Sequence, residues 1–193
     1  VSVSEILNSA ANAVTAIAVA VGVAIAYRQL SLWRVETKEK QRASVAEDLL
    51  FAAMEAHAAL RFVRSPFGSA APENDPDPKS YPRREKIERL RDHHGAFEDL
   101  QRAQIRGRAF LGNSAVDEAV SALLDVRHRV WLAADRWCDL YGESRDLNRE
   151  LYNDIERTVY GSYTDEDPLG KKQIAAIETL EKELYPMLRL ERT

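Results

Sequence analysis

AVDEAVSALLDVRHRVWLAADRWCDLY, from Ala115 to Tyr141, carries the clearest pattern in the chain. Val116, Val120, Leu123, Val130, Ala134, Trp137 and Tyr141 fall at helical spacing, and Leu124, Trp131 and Cys138 widen the stripe. Apolar residues at such intervals share one face of a helix at 3.6 residues per turn. Gly112-Asn113-Ser114 reads as the turn before it, and Ser114 with Asp117 as a capping box. Trp131 and Trp137 are expected to anchor the core. They point ~120° apart, and Trp137 shares the stripe of Ala134 and Tyr141.

The same period recurs on both sides. Val45, Leu49, Ala53, Ala56, Leu60 and Val63 define a helix that Ser65-Pro66 ends. A helix is expected over about Arg83–Phe110, with Ile87, Leu90, His94, Phe97, Leu100 and Ile105 inward. Another follows over about Arg145–Tyr160, with Leu147, Leu151, Ile155 and Val159, between Gly142 and Gly161. Asp167-Pro168 opens the last as N-cap and first-turn proline, with Ile174, Ile177, Leu180, Leu184 and Leu188 inward and Pro186 disturbing its final turn. No segment argues for a strand. Residues 65–82, with Pro66, Pro72, Pro76, Pro78 and Pro82, have the composition of a mobile loop.

Near the start, ILNSAANAVTAIAVAVGVAIAY (Ile6 to Tyr27) holds no charged residue. As a helix it spans ~30 Å, the thickness of a bilayer's hydrocarbon core. A transmembrane helix is the preferred reading over a buried core helix or a cleaved signal peptide. Ala24-Ile25-Ala26 resembles a cleavage site, but Glu5 precedes the run without Lys or Arg. Arg28, Arg34, Lys38, Lys40 and Arg42 follow it and place the C-terminal part in the cytoplasm, at the inner membrane. Tyr27 and Trp33 suit the interface. Ala16, Ala20 and Ala24, and beside them Ala18, Gly22 and Ala26, form small-residue stripes that let two helix backbones approach closely in lipid and suit self-association.

The fold expected is therefore all-α. An N-terminal transmembrane helix (1–27) continues into a juxtamembrane stalk and first bundle helix (28–64). A mobile loop (65–82) leads to the rest of a four- to five-helix bundle (83–193). The anchor, LWRVETKEKQRASVAEDLL (Leu32 to Leu50) and FVRSP (Phe62 to Pro66) together resemble a loose group of bacterial single-pass membrane proteins with helical cytoplasmic domains. The resemblance implies topology and no activity.

The chain has 193 residues, 27 basic against 31 acidic, and a net charge of −4. That balance argues against nucleic acid as a partner. Arg102, Arg106 and Arg108 form only a small basic cluster. Arg83, Arg84, Lys86, Arg89 and Arg91 alternate with Glu85, Glu88 and Asp92, as on a solvated helix. Cys138 is the single cysteine and reads as an inert buried thiol.

Residues able to carry chemistry are sparse. His94 and Glu98, and Asp125 and His128, are helical neighbours, but no second Glu-x-x-His completes a metal set. His93 is expected to face water and His94 to be partly buried. Arg127 falls on the buried stripe, where either an acid from another helix meets it or it snorkels to the edge; the functional alternative is an anion site built with Arg102 and Arg106. No catalytic, cofactor or metal site is assigned. The function expected is a membrane-tethered interaction or scaffold protein, not an enzyme, that binds a protein or copies of itself. The alternative is a ligand sensor or metal-dependent enzyme with a site near Arg127, His94 and Asp125.

Overall fold

The computed structural model describes residues 3–140, 149–162 and 166–188, with the backbone alone over 3–14 and at residue 16. Among them are six helices and no strand: α1 Val3–Val63, α2 Tyr81–Asp92, α3 His94–Phe110, α4 Ser114–Asp139, α5 Arg149–Val159 and α6 Pro168–Leu188. The chain divides into two units, Val1–Arg42 and Ala43–Thr193.

In the first unit the described side chains, from Thr15 and Ile17 onward, are exposed. Its polar segment satisfies itself locally. Ser31 Oγ donates to the Arg28 carbonyl and Thr37 Oγ1 to that of Trp33, both at 2.8 Å, and Lys40 pairs with Glu36 at 2.7 Å. Among the described residues no helix is long and apolar enough to cross a membrane. The Ile6–Tyr27 run lies partly outside the residues whose side chains are described.

The second unit is a bundle around α4, which packs against α2, α3, α5 and α6. Its stripe is buried as the spacing predicts: Val116, Val120, Leu123, Val130, Ala134 and Trp137, with Val126 added. All six α1 positions from Val45 to Val63 are buried too, and all but Val45 belong to one core with Phe97 and Leu100 of α3 and Leu180 and Leu184 of α6. Trp137 is 6% exposed, whereas Trp131 is 43% exposed and does not anchor the core. Tyr141, Gly142 and Leu147 lie outside the described residues.

The helix ends show what sets the boundaries. Asn113, not Ser114, caps α4: its Oδ1 accepts from the N–H groups of Ala115 and Val116. Asp117 is instead drawn away by Arg108 and Gln104, so no capping box forms. Asp167 does cap α6, its Oδ1 accepting the Gly170 N–H at 2.9 Å, with Pro168 first in the helix. Pro186 lies within α6 near its described end. Gly112, at φ 63°, ends α3 in the left-handed region and donates to the Gly107 carbonyl.

The helix expected over Arg83–Phe110 is broken in two at His93, with φ −97° and ψ 14°. The His93 ring is half-buried, not facing water. It lies 5.2 Å from the Phe62 ring, and its Nδ1 is 3.0 Å from the Arg89 carbonyl oxygen. The break resets the register of α3. Phe97, Leu100, Ala103, Gln104 and Gly107 face inward, whereas His94 and Ile105 are exposed. Leu151 of α5 and Ile174 of α6 also face outward, and Tyr152 takes an inward place on α5.

Candidate functional site

The residues of the enzyme or sensor alternative do not converge as one set. Asp125 and Arg127 are two apart on α4, which points them ~200° apart. Asp125 Oδ2 accepts from Lys172 of α6 at 2.7 Å and from Arg129 at 2.9 Å. The Lys172 hydrogen bond is the main cause that holds the Asp125 carboxyl below its ordinary range. His128 is exposed. Among the described residues no group of three His, Cys, Asp or Glu side chains is placed to hold a metal ion.

Arg127 and His94 do meet. Arg127 Nη2 lies 2.9 Å from His94 Nδ1, and the guanidinium carbon sits 5.0 Å from the centre of the Phe97 ring. His94 Nε2 is 3.2 Å from Glu98 Oε1. With Nδ1 accepting from arginine, the ring's proton belongs on Nε2, facing Glu98. Among the described residues no acidic side chain pairs with Arg127, which is half-buried rather than enclosed in the core. Arg127 borders a concavity of 300 Å³ with Arg91, His94, Ile87, Leu90 and Trp131. Arg102 and Arg106 lie elsewhere: Arg102 pairs with Asp99 and Glu98, and Arg106 with Asp48 of α1.

A second group of charges is one that apolar spacing and motifs do not announce. Lys86 and Arg89 of α2, expected on a solvated face, are buried, as are Glu85 and Arg64. A helix leaves its last carbonyls without intrahelical donors, and its C-terminus attracts cations. Here α1 and α5 end close together. Lys86 Nζ donates to the carbonyls of Val63 at 3.0 Å and Ser65 at 2.5 Å. Arg89 donates to those of Phe62 and Phe67. Arg64 Nε donates to the Thr158 carbonyl at 3.1 Å, and its Nη2 to Asp167 Oδ1 at 2.8 Å. Burial pushes the Lys86 ammonium down to about 8. Burial pushes Glu85 up, but the Ser69 N–H and the Arg89 guanidinium outweigh it and leave the carboxyl below its usual range. These cations tie helix ends together and fix the first residues of the loop; they are not exposed to a substrate.

Cys138 is half-buried and burial raises its thiol pKa, so it lacks the thiolate character of a nucleophile. A cleft of 430 Å³ between α4, α5 and α6 is lined by charges of both signs, among them Arg129, Arg136, Asp154 and Glu166, and favours neither sign of ligand.

Two surfaces remain that could meet a partner. Ile17, Val19, Val21, Val23 and Ile25 are each more than half exposed. Successive members of this series point ~200° apart, so opposite sides of the helix are apolar. On the bundle part of α1, Phe51, Met54 and Phe62 lie exposed on one face. Beside Phe51 a cleft of 420 Å³ runs between α1 and α3.

Comparison with protein families, with curated proteins and with solved structures finds no match. The functional reading therefore rests on these surfaces.

Proposed function

We propose that the protein is a membrane-tethered scaffold. Its bundle stands on the cytoplasmic side of an inner membrane and binds another protein or a second copy of the chain. The observation that carries this reading is the helix surface from Ile17 to Ile25. It is exposed, uncharged and apolar on opposite sides, and such a helix needs lipid or protein around it. The uncharged run extends back to Ile6, and with those residues it reaches a span's length. The basic residues from Arg28 to Arg42 follow on one side only, which supports the orientation. The resemblance to bacterial single-pass proteins agrees with it.

The exposed Phe51, Met54 and Phe62 face supports the interaction role, since aromatic and methionine side chains are enriched where proteins dock. The test is extraction and topology of the full chain. Carbonate washing should leave it with the membranes, and a reporter fused after Thr193 should be active only in the cytoplasm. Release of the chain by carbonate refutes the anchor, and a reporter active on the outer side refutes the orientation.

A further inference from the structure

We infer that the concavity between α2, α3 and α4 binds a small amphipathic anion: an oxyanion group, carboxylate or phosphate, joined to a flat apolar group. Its lining contains two arginines, one histidine and no carboxylate: Ile87, Leu90, Arg91, His94, Arg127 and Trp131. Elsewhere on this surface basic side chains are answered by acids, as Arg106 is by Asp48 and Arg108 by Asp117. Here they are not. The nearby Glu98 is engaged by His94 Nε2 and by Arg102. Among the described residues the Arg91 guanidinium takes part in no ion pair or side-chain hydrogen bond. Arg127 Nε is buried with no hydrogen-bond partner. A half-buried guanidinium with donors to spare and no counter-charge is a costly arrangement that an anion relieves.

The arginine is also held in place for that task. His94 accepts from Nη2 on one side and Phe97 supports the guanidinium. A fixed guanidinium offers its remaining donors to an oxyanion with less loss of freedom than a mobile one. Arg91, near the end of α2 and across the break from His94, supplies a second cation at the rim. The rest of the lining defines the apolar half of the ligand. Trp131 turns 43% of its surface outward from the amphipathic helix α4, and Leu90 and Ile87 extend the wall. A volume of 300 Å³ is at the small end for ligand sites and fits one or two fused rings with an acid group.

The probe is 2-naphthoate, with 2-naphthamide as its uncharged counterpart, titrated into the full chain. The readout is the Trp131 indole N–H resonance, identified with Trp131→Phe. The expected result is a saturable shift with 2-naphthoate. Affinity should fall about tenfold for the amide and about tenfold again with naphthoate on Arg91→Gln, the size of one lost charged hydrogen bond. Arg91 is exposed, so this variant folds as the parent does. Arg127→Gln should weaken binding further. An unmoved Trp131 resonance overturns the proposal, and so does equal affinity for the amide or for Arg91→Gln.

Discussion

The Arg64 guanidinium and the Asp167 carboxylate meet at 2.8 Å inside the bundle, 103 residues apart in the chain. The pair ties the end of α1 to the start of α6, and Asp167 simultaneously caps α6 through the Gly170 N–H. Removing one member of a buried pair leaves the other charge uncompensated. Asp167→Ala should therefore cost about 3–5 kcal/mol in urea unfolding of the full chain. Asp167→Asn keeps a capping oxygen but loses the charge. It should still cost most of that amount, because the cap alone contributes only ~1 kcal/mol. Equal stability of Asp167→Asn and the parent would show that the charge is not what the core requires.

That pair also marks what is legible in the sequence and what is not. The periodic helices are readable because apolar spacing is local: the main α4 and α1 stripes are buried within the described range, Tyr141 lying outside it, whereas of the residues that widen the α4 stripe Leu124 and Cys138 are half-buried and Trp131 is exposed. Asp167-Pro168 is readable as a helix start for the same reason. Its second partner is not, since only the folded chain brings Arg64 to it. Lys86 and Arg89 look solvated in sequence, and what buries them is the position of two helix ends rather than anything nearby in the chain. Cations following a helix that closes at Ser65-Pro66 are the one clue, as donors to its last carbonyls. The break at His93 has no proline to announce it, and Gly95, the weak helix former two residues on, lies within the first turn of α3; the break turns His94 outward toward Arg127. The separation of Asp125 from Arg127, by contrast, is implicit in their spacing, because positions two apart on a helix do not share a face.

Lys86 makes stability depend on alkaline pH. Its ammonium releases a proton at about 8 when folded, against 10.5 for the free side chain, because burial disfavours the charge. Between those values the unfolded chain binds a proton that the folded chain has lost, so stability rises with pH. The gain should show as an increasing urea midpoint of the parent relative to Lys86→Met between pH ~7.5 and ~9.5. Tyr160, whose ring lies 4.7 Å from Lys86 Nζ and whose pKa burial raises above 10, acts in the opposite sense at higher pH. The measurement therefore stops short of that range. A difference between parent and variant that stays constant with pH would refute the shift.

The two tryptophans of α4 should separate cleanly. Trp137 is buried, meets the Tyr160 ring edge-on at 5.4 Å and lies beneath Arg83, whose Nη1 also donates to the Trp137 carbonyl. Trp137→Ala should cost about 3–5 kcal/mol, a large part of the ~5–15 kcal/mol that holds most domains folded. Trp131 is half-exposed, and Trp131→Ala should change stability by less than about 1 kcal/mol. Thermal unfolding followed by circular dichroism distinguishes them. Similar losses for both would mean that α4 is rotated from the orientation described.

Two glycines of α3 give opposite predictions from one helix. At Gly107 an added Cβ would meet Leu49 Cδ2 at 3.1 Å, so α3 comes close to α1 there. Alanine is tight at that distance, and its better helix propensity offsets part of the crowding. Valine adds two further methyl groups on the same side, and Gly107→Val should destabilise the bundle by about 1–3 kcal/mol through overpacking. At Gly95 an added Cβ meets nothing within 4 Å, and its φ is not positive. Gly95→Ala should therefore raise stability by about 0.4–1 kcal/mol, by restricting the unfolded chain at no steric cost. Urea midpoints of the two variants against the parent give both signs. A Gly107→Val variant as stable as the parent would mean that α1 and α3 do not approach at Leu49, and the burial of the α1 stripe would need another explanation.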